Sequence, residues 1–291
     1  MGFTTEEGIT ELAMARWATA HDPRLARILP SLVRHLHEFA KEVELTHEEW
    51  MAGIGFLTAA GQISDAKRQE FILASDVLGL SMLVVMINGR LPKGATPPTV
   101  LGPFHIDSSP QLANNADAAS GVEGEKVYVS GAVRALNGNP VPRARIDFWQ
   151  ADSDGTYEAQ IPNCDVRLRA IFDCDAQGRY GFWTVMPRGY SIPMDGPVGR
   201  LIEQTDISYY RPAHIHFIVS APGYESLITH VFREGAEYLE NDVVFGAREG
   251  LVARFERHDP GVTPTGETSS KPFHTVRYDF VLAPAVEKPI A

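Results

Sequence analysis

The sequence predicts an α+β fold, an N-terminal helical part followed by an antiparallel β-sandwich, from three observations. Up to about residue 88, apolar residues recur at helical spacing behind helix-capping signals. From Asn88-Gly89 to about Glu125 the chain is rich in proline (Pro92, Pro97, Pro98, Pro103, Pro110) and loses its period. From Lys126 onward it breaks into short β-prone runs divided by turn residues. The expected division is residues 1–100 for the helices and connector and 101–291 for the sandwich.

Thr4-x-x-Glu7 is expected to open a first helix, which His21-Asp22-Pro23 ends. A second helix follows to about Val43, with Leu25, Ile28, Leu32, Leu36 and Phe39 on one stripe and Pro30 as a kink. Its His35 and His37 lie two residues apart, on different helix faces, and so cannot share one ion. Thr46-x-x-Glu49 opens a third helix, and a fourth is expected from about Asp65 to Ile87. In that fourth helix Asp76 is the odd residue of an apolar run, a carboxylate that needs a rim, a partner or a ligand. The expected strands are Lys126–Arg134, Ala144–Gln150, Gly178–Val185, Pro212–Val219, Ser226–Phe232 and Thr275–Leu282.

Composition bounds what the chain can do. With 44% hydrophobic and 22% charged residues among 291, it can bury a sizeable core. A net charge of −11 without any basic run argues against nucleic acid or an anionic membrane surface as partner. Cys164 and Cys174 lack C-x-x-C spacing, so no disulfide framework is expected and a reducing cytoplasm fits. The acidic start, Met1 to Glu7, has no apolar leader, and no run reaches the ~18 apolar residues of a membrane span.

The chemistry concentrates in Arg211-Pro212-Ala213-His214-Ile215-His216. On a strand, side chains two apart share a face, so His214 and His216 form half a metal site while Ile215 turns to a core. A bare His-x-His is more often a pair of ordinary histidines. Two loop tyrosines just after strands, Tyr157 in Asp154-Gly155-Thr156-Tyr157 and Tyr190 in Pro187-Arg188-Gly189-Tyr190, are candidate companions. Two phenolates with two imidazoles would suit neither zinc nor magnesium, but a hard trivalent iron. Such a cation would depress both phenols from their usual value of about 10, and the ligand set would colour the protein.

Gly155-x-Tyr157, Pro187-x-Gly189-Tyr190-x-x-Pro193 and Arg211-Pro212-Ala213-His214-Ile215-His216, in that order behind a Leu-Gly-Pro-Phe connector, resemble the intradiol ring-cleaving dioxygenases over nearly the whole chain. The resemblance implies one non-haem Fe(III) per subunit held by Tyr157, Tyr190, His214 and His216. It also implies a helical dimerisation domain in a homodimer, with phospholipid at the seam in many members. The substrates would be a small aromatic diol and O2, with Tyr190 released to take a proton and Arg211 steadying negative charge on the ring.

Leu73-x-x-Asp76, Ile192 to Gly199 and Asp242 to Gly246 are similar to the hydroxyquinol 1,2-dioxygenases. Catechol dioxygenases usually carry glutamine where this chain has His230, either a hydrogen-bond partner behind the metal or an ordinary strand histidine. By resemblance the pocket walls are Leu73, Asp76, Val100, Leu101, Gly102, Pro103, Phe104, Ile192, Pro193, Arg211 and Val244. The expected activity is cleavage of hydroxyquinol to 3-hydroxy-cis,cis-muconate and maleylacetate. A catechol or chlorocatechol 1,2-dioxygenase is the near alternative. A non-catalytic β-sandwich binding module and a zinc hydrolase, both colourless, are the distant ones.

Overall fold

The computed structural model describes residues 4–65, 68–161 and 164–285, with Ala159 described by its backbone alone. The chain forms two compact units, Met1–Gln62 and Ile63–Ala291.

The first unit contains α1 (Ile9–Trp17), α2 (Leu25–Glu42) and nearly all of α3 (His47–Ile63). The capping box of α3 is made reciprocally: the Glu49 N–H donates to Thr46 Oγ1 at 3.2 Å and the Thr46 N–H to Glu49 Oε2 at 2.9 Å. The start of α1 differs from expectation, because the Gly8 N–H is taken by Thr5 Oγ1 at 3.1 Å and the helix begins only at Ile9. Pro30 lies inside α2. His37 Nδ1 stands 3.0 Å from Thr10 Oγ1 and His35 Nδ1 stands 3.3 Å from Glu38 Oε2, so the two rings diverge as helical geometry requires.

The second unit opens with α4 (Glu70–Val77) and α5 (Leu80–Asn88), where a single helix was expected. The two axes differ by 78°. Gly79 takes φ +74° at the break, and the Phe245 ring lies 3.4 Å from where a Cβ would sit. A side chain there would be both strained and crowded, so the glycine makes the bend. The connector hydrogen-bonds to the β domain: Thr96 N–H donates to the Val281 carbonyl at 3.0 Å and Thr99 N–H to that of Ile228 at 2.8 Å. Those bonds tie the connector to the β domain.

The strands are β1 (Lys126–Ala135), β2 (Arg145–Trp149), β3 (Arg169–Asp173), β4 (Arg179–Val185), β5 (Tyr190–Ser191), β6 (Tyr210–Arg211), β7 (His214–Ser220), β8 (Leu227–Arg233), β9 (Val252–Ala253), β10 (Glu256–His258), β11 (Gly261–Val262), β12 (Thr268–Ser269), β13 (Phe273–Arg277) and β14 (Phe280–Leu282), with α6 (Pro197–Ile202) between β5 and β6. One sheet has the order β10-β13-β1-β14, with β4 also on β1, and the other has β3-β2-β7-β8-β9. Their inner faces share one core through Phe148, Phe172, Phe182, Phe217 and Phe280. The Phe172 and Phe182 rings, one from each sheet, stack at 4.8 Å.

The antiparallel expectation needs correction, because β1 runs parallel to β13 and β14, and β8 parallel to β9. The predicted run Thr275–Leu282 is interrupted where the Asp279 carboxylate takes the Ala132 N–H at 3.0 Å and splits β13 from β14. Among the described residues no single helix is long and apolar enough to cross a membrane.

Candidate metal centre

Strand alternation on β7 sends Ile215, Phe217 and Val219 into the core and His214 and His216 to the opposite face. Sheet register then builds a row across four strands: Arg169 is opposite Trp149, Trp149 opposite His216, and His216 opposite His230. The sequence shows His214 and His216 together, whereas the rest of the row exists only once the strands pair. Tyr157 enters from the loop after β2, its N–H held by Gln160 Oε1 at 2.8 Å. Tyr190 begins β5 and pairs in register with Arg211 of β6.

These residues converge. The Tyr157 hydroxyl lies 2.9 Å from His216 Nε2 and 3.5 Å from the Tyr190 hydroxyl, and the His214 and His216 Nε2 atoms are 3.1 Å apart. Tyr157, His214 and His216 are buried, and Tyr190 is partly open. Trp149 stacks on His216 at 4.7 Å, and Phe104 stacks on Tyr157 at 4.3 Å. Behind Tyr157, Glu158 pairs with the buried Arg169, which also donates to the Phe104 carbonyl at 2.9 Å.

Hydrogen bonds fix one tautomer. His214 Nδ1 faces the Pro212 carbonyl at 2.7 Å, an acceptor only, so Nδ1 carries the proton and Nε2 keeps its lone pair. Burial, with the Arg211 cation beside it, pushes the His214 imidazole down to about 3, and burial likewise pulls His216 and His230 well down. All three rings are therefore held in the neutral form at neutral pH. Burial pushes the Tyr157 phenol well up, Tyr190 adds to this, and Arg211 and Arg169 oppose it.

His230 belongs to the same cluster of three histidines, whose ligand atoms lie within 4.8 Å of one another. Both of its nitrogens are engaged, Nε2 with His216 Nδ1 at 2.7 Å and Nδ1 with Thr99 Oγ1 at 2.8 Å. It thus stands behind His216, and the four atoms left facing a common point are the hydroxyls of Tyr157 and Tyr190 and Nε2 of His214 and His216. Two hard phenol oxygens and two imidazoles fit a ferric ion, and among the described residues no cysteine or carboxylate completes a zinc set around them.

Arg211 closes one side. It donates to both carboxylate oxygens of Asp242, at 3.1 and 3.3 Å, and its Nη1 lies 3.1 Å from His214 Nε2 and 3.5 Å from the Tyr190 hydroxyl. Burial opposes the charge on Arg211, but the Asp242 carboxylate together with Tyr190 and Tyr157 outweighs it. Asp242 also accepts the Gly246 N–H at 2.9 Å and that of Ala247 at 3.2 Å, which shapes the loop carrying Val244. Asp242 is legible from the sequence only as part of a similar segment, because nothing local marks it as the counter-ion of Arg211.

A cavity of about 280 Å³ opens beside Tyr190 and Arg211. A dry pocket of about 150 Å³ suffices for benzene, so this one holds a single substituted ring. Leu73, Asp76, Val100, Gly102, Pro103, Phe104, Ile192, Pro193 and Val244 all line it. Leu101 does not: Val100 and Gly102 on either side line the cavity, whereas Leu101 is 38% exposed. The sequence reading missed Arg68 and Glu70 at the rim, where Arg68 bridges buried Glu70 at 3.1 Å and exposed Asp195 at 2.8 Å. Burial raises the Asp76 carboxyl above the usual range, with Ser81 and Arg211 opposing.

Residues 100–284 match the family model described as Dioxygenase, and residues 22–96 the one described as Catechol dioxygenase N terminus. The chain is 46% identical over 282 residues to a 6-chlorohydroxyquinol 1,2-dioxygenase of Cupriavidus pinatubonensis, covering 97% of this chain and 98% of that one. It is 46% identical over 281 residues to a hydroxyquinol 1,2-dioxygenase of Nocardioides simplex, covering 96% of each. The solved structure of hydroxyquinol 1,2-dioxygenase from Pseudomonas putida superposes with a TM-score of 0.90 at 40% identity, over 96% of this chain and 99% of that one. By these matches, and with the tyrosine and histidine motifs in their order, the chain belongs to the intradiol ring-cleaving dioxygenase family.

Proposed function

We propose that the protein is a hydroxyquinol 1,2-dioxygenase, which uses O2 to open 1,2,4-trihydroxybenzene between its adjacent hydroxyl carbons. The product is 3-hydroxy-cis,cis-muconate, which tautomerises to maleylacetate, a step in the degradation of aromatic compounds. Both oxygen atoms enter the product, so no external reductant is needed. One observation carries the reading: a cavity sized for one ring is lined by Tyr190, whose hydroxyl adjoins that of Tyr157 in the buried tyrosine–histidine cluster, and by a buried carboxylate, Asp76, in an otherwise largely apolar wall.

Tyr157, Tyr190, His214 and His216 would hold one non-haem ferric ion per subunit, which when bound supplies a Lewis acid for the paired hydroxyl oxygens of the diol. Tyr190, the more open of the two, would hold the ion as a phenolate, and in that form it can accept one of the diol's protons. Arg211 holds its charge against the reacting edge of the ring, a preorganised cation that is itself buried and anchored by Asp242. Leu73, Val100 and Ile192 sandwich the ring, and Asp76 accepts a hydrogen bond from the third hydroxyl.

The test is a visible spectrum before and after anaerobic addition of hydroxyquinol, with catechol in parallel. A red-brown band that moves to longer wavelength, followed by faster consumption of hydroxyquinol than of catechol on admitting O2, is the expected result. A protein that stays colourless after iron reconstitution removes this reading and leaves a non-catalytic binding module.

We further propose a homodimer through the N-terminal helices, in a cytoplasmic protein whose two cysteines are free. On α2, Leu32, Leu36 and Phe39 form an exposed apolar stripe, 51%, 55% and 53% accessible, of a kind that monomers seldom leave open. Light scattering should give twice the 32.0 kDa chain mass, and Leu36→Glu with Phe39→Glu should halve it. Phospholipid recovered by organic extraction of the wild-type dimer, and lost from that variant, would place lipid at the same seam.

A further inference from the structure

We propose that Thr99 and His230 are positioning residues that hold His216 in the one tautomer able to present Nε2 to a metal. This deepens the reading above and rests on it. The His216 ring is fixed on three sides. The Trp149 indole lies against its face, 15° from parallel. Gly102 crowds its edge, since a Cβ there would sit 3.0 Å from His216 Cε1 at a backbone φ of +77°. His230 holds its Nδ1 at 2.7 Å, and Trp149, His216 and His230 are each at most 1% exposed.

The proton order follows from what each atom must do. For His216 Nε2 to keep its lone pair, Nδ1 must carry the ring proton and donate to His230 Nε2. His230 must then carry its own proton on Nδ1 and donate to Thr99 Oγ1, 2.8 Å away. In the opposite order Thr99 donates to His230, His230 to His216, and His216 Nε2 is protonated and lost as a ligand. Thr99 is bound into the sheet by its N–H on the Ile228 carbonyl at 2.8 Å, while Thr229 Oγ1 donates to the Pro97 carbonyl at 2.8 Å. Thus the same connector that lines the substrate cavity at Val100, Gly102 and Phe104 also sets the orientation of a metal-facing histidine.

The experiment compares iron loss to a strong chelator from wild type, His230→Gln, His230→Leu and Thr99→Val, with thermal melts of each apo form. Partners behind a ligating histidine typically contribute about 10–100-fold in metal affinity. His230→Leu should lose iron about 10–100-fold faster, and Thr99→Val should fall between it and wild type. His230→Gln should stay within about threefold of wild type, because its amide can accept from His216 and donate to Thr99. Unchanged iron loss from both His230→Leu and Thr99→Val overturns the proposal. Thr99→Val is close to isosteric and leaves the His216 contact in place, so a folding failure of the leucine variant does not decide the matter. A separate readout is the imidazole nitrogen shifts of His216 in the apo protein: a protonated Nδ1 is expected, and a protonated Nε2 overturns the relay. Wild-type protein that takes up no iron would refute the dioxygenase reading alone, with the nitrogen shifts still deciding the tautomer.

Discussion

Replacing Arg211 by methionine is expected to cost about 10²–10³-fold in kcat/KM for hydroxyquinol, and about 3–5 kcal/mol of folding stability. Both losses come from one geometry. Arg211 is 3% exposed and holds Asp242 by two hydrogen bonds, so truncation leaves a carboxylate in the interior with its counter-ion gone. A melting-temperature drop on the order of 10 °C would accompany it. Two effects can be separated by pH. Burial opposes the Asp242 charge but Arg211 outweighs it, and the carboxyl sits below its usual value. A carboxylate lowered by folding contributes its stability above the unfolded value, near 4, and that contribution is lost as pH falls through the folded value. The stability gap between wild type and Arg211→Met should therefore be largest near neutrality and shrink in acid.

The double variant Arg211→Met with Asp242→Leu separates structure from catalysis. Replacing both charges with apolar groups removes the unpaired carboxylate, so much of the stability should return. Turnover should not, because no cation would face the ring. If Arg211→Met turned over hydroxyquinol at the wild-type rate in stopped-flow assays, the charge-holding role would be lost and only the ion pair would remain.

Local signals carried further here than topology did. The reciprocal bonds of Thr46 and Glu49, the alternation that turns Ile215 inward, and the proline-rich connector follow from spacings of a few residues, and these are the features that hold. The break at Gly79 is not local in this sense. Helical propensity runs through Phe71 to Ile87, and the glycine turns left-handed where Phe245, far along the chain, packs beside it. The strand β3 hides in Arg169-Ala170-Ile171-Phe172-Asp173, a short apolar run bounded by charges, which becomes a strand by pairing with β2. The same holds for the site. His214 and His216 announce themselves by spacing, and Tyr157 and Tyr190 through family motifs, but the counter-ion Asp242, the stacked Trp149 and the hydroxyl of Thr99 are brought in by register and loop closure. No window of sequence contains them together.

Asp76→Ala should lower the ratio of kcat/KM for hydroxyquinol over catechol by about 10–100-fold, the equivalent of one hydrogen bond to a charged acceptor. Catechol lacks the third hydroxyl, so its own turnover should change little. Asp76 is 6% exposed in a mainly apolar cavity, and burial raises its carboxyl. A carboxyl raised by folding weakens the fold as pH climbs from the unfolded value through the folded one, and the penalty is absent below the unfolded value, near 4. Asp76→Asn, which keeps the shape without the charge, should therefore melt at or above the wild-type temperature at pH 7 and together with it at pH 4. The same variant should still lose hydroxyquinol preference, because an amide offers the third hydroxyl a neutral acceptor in place of a carboxylate. A residue that costs stability and yields selectivity is what a substrate contact looks like. Equal losses on hydroxyquinol and catechol, or a neutral-pH melting temperature that falls in Asp76→Asn, would instead make Asp76 a structural residue of α4 and return the choice of diol to the shape of the cavity alone.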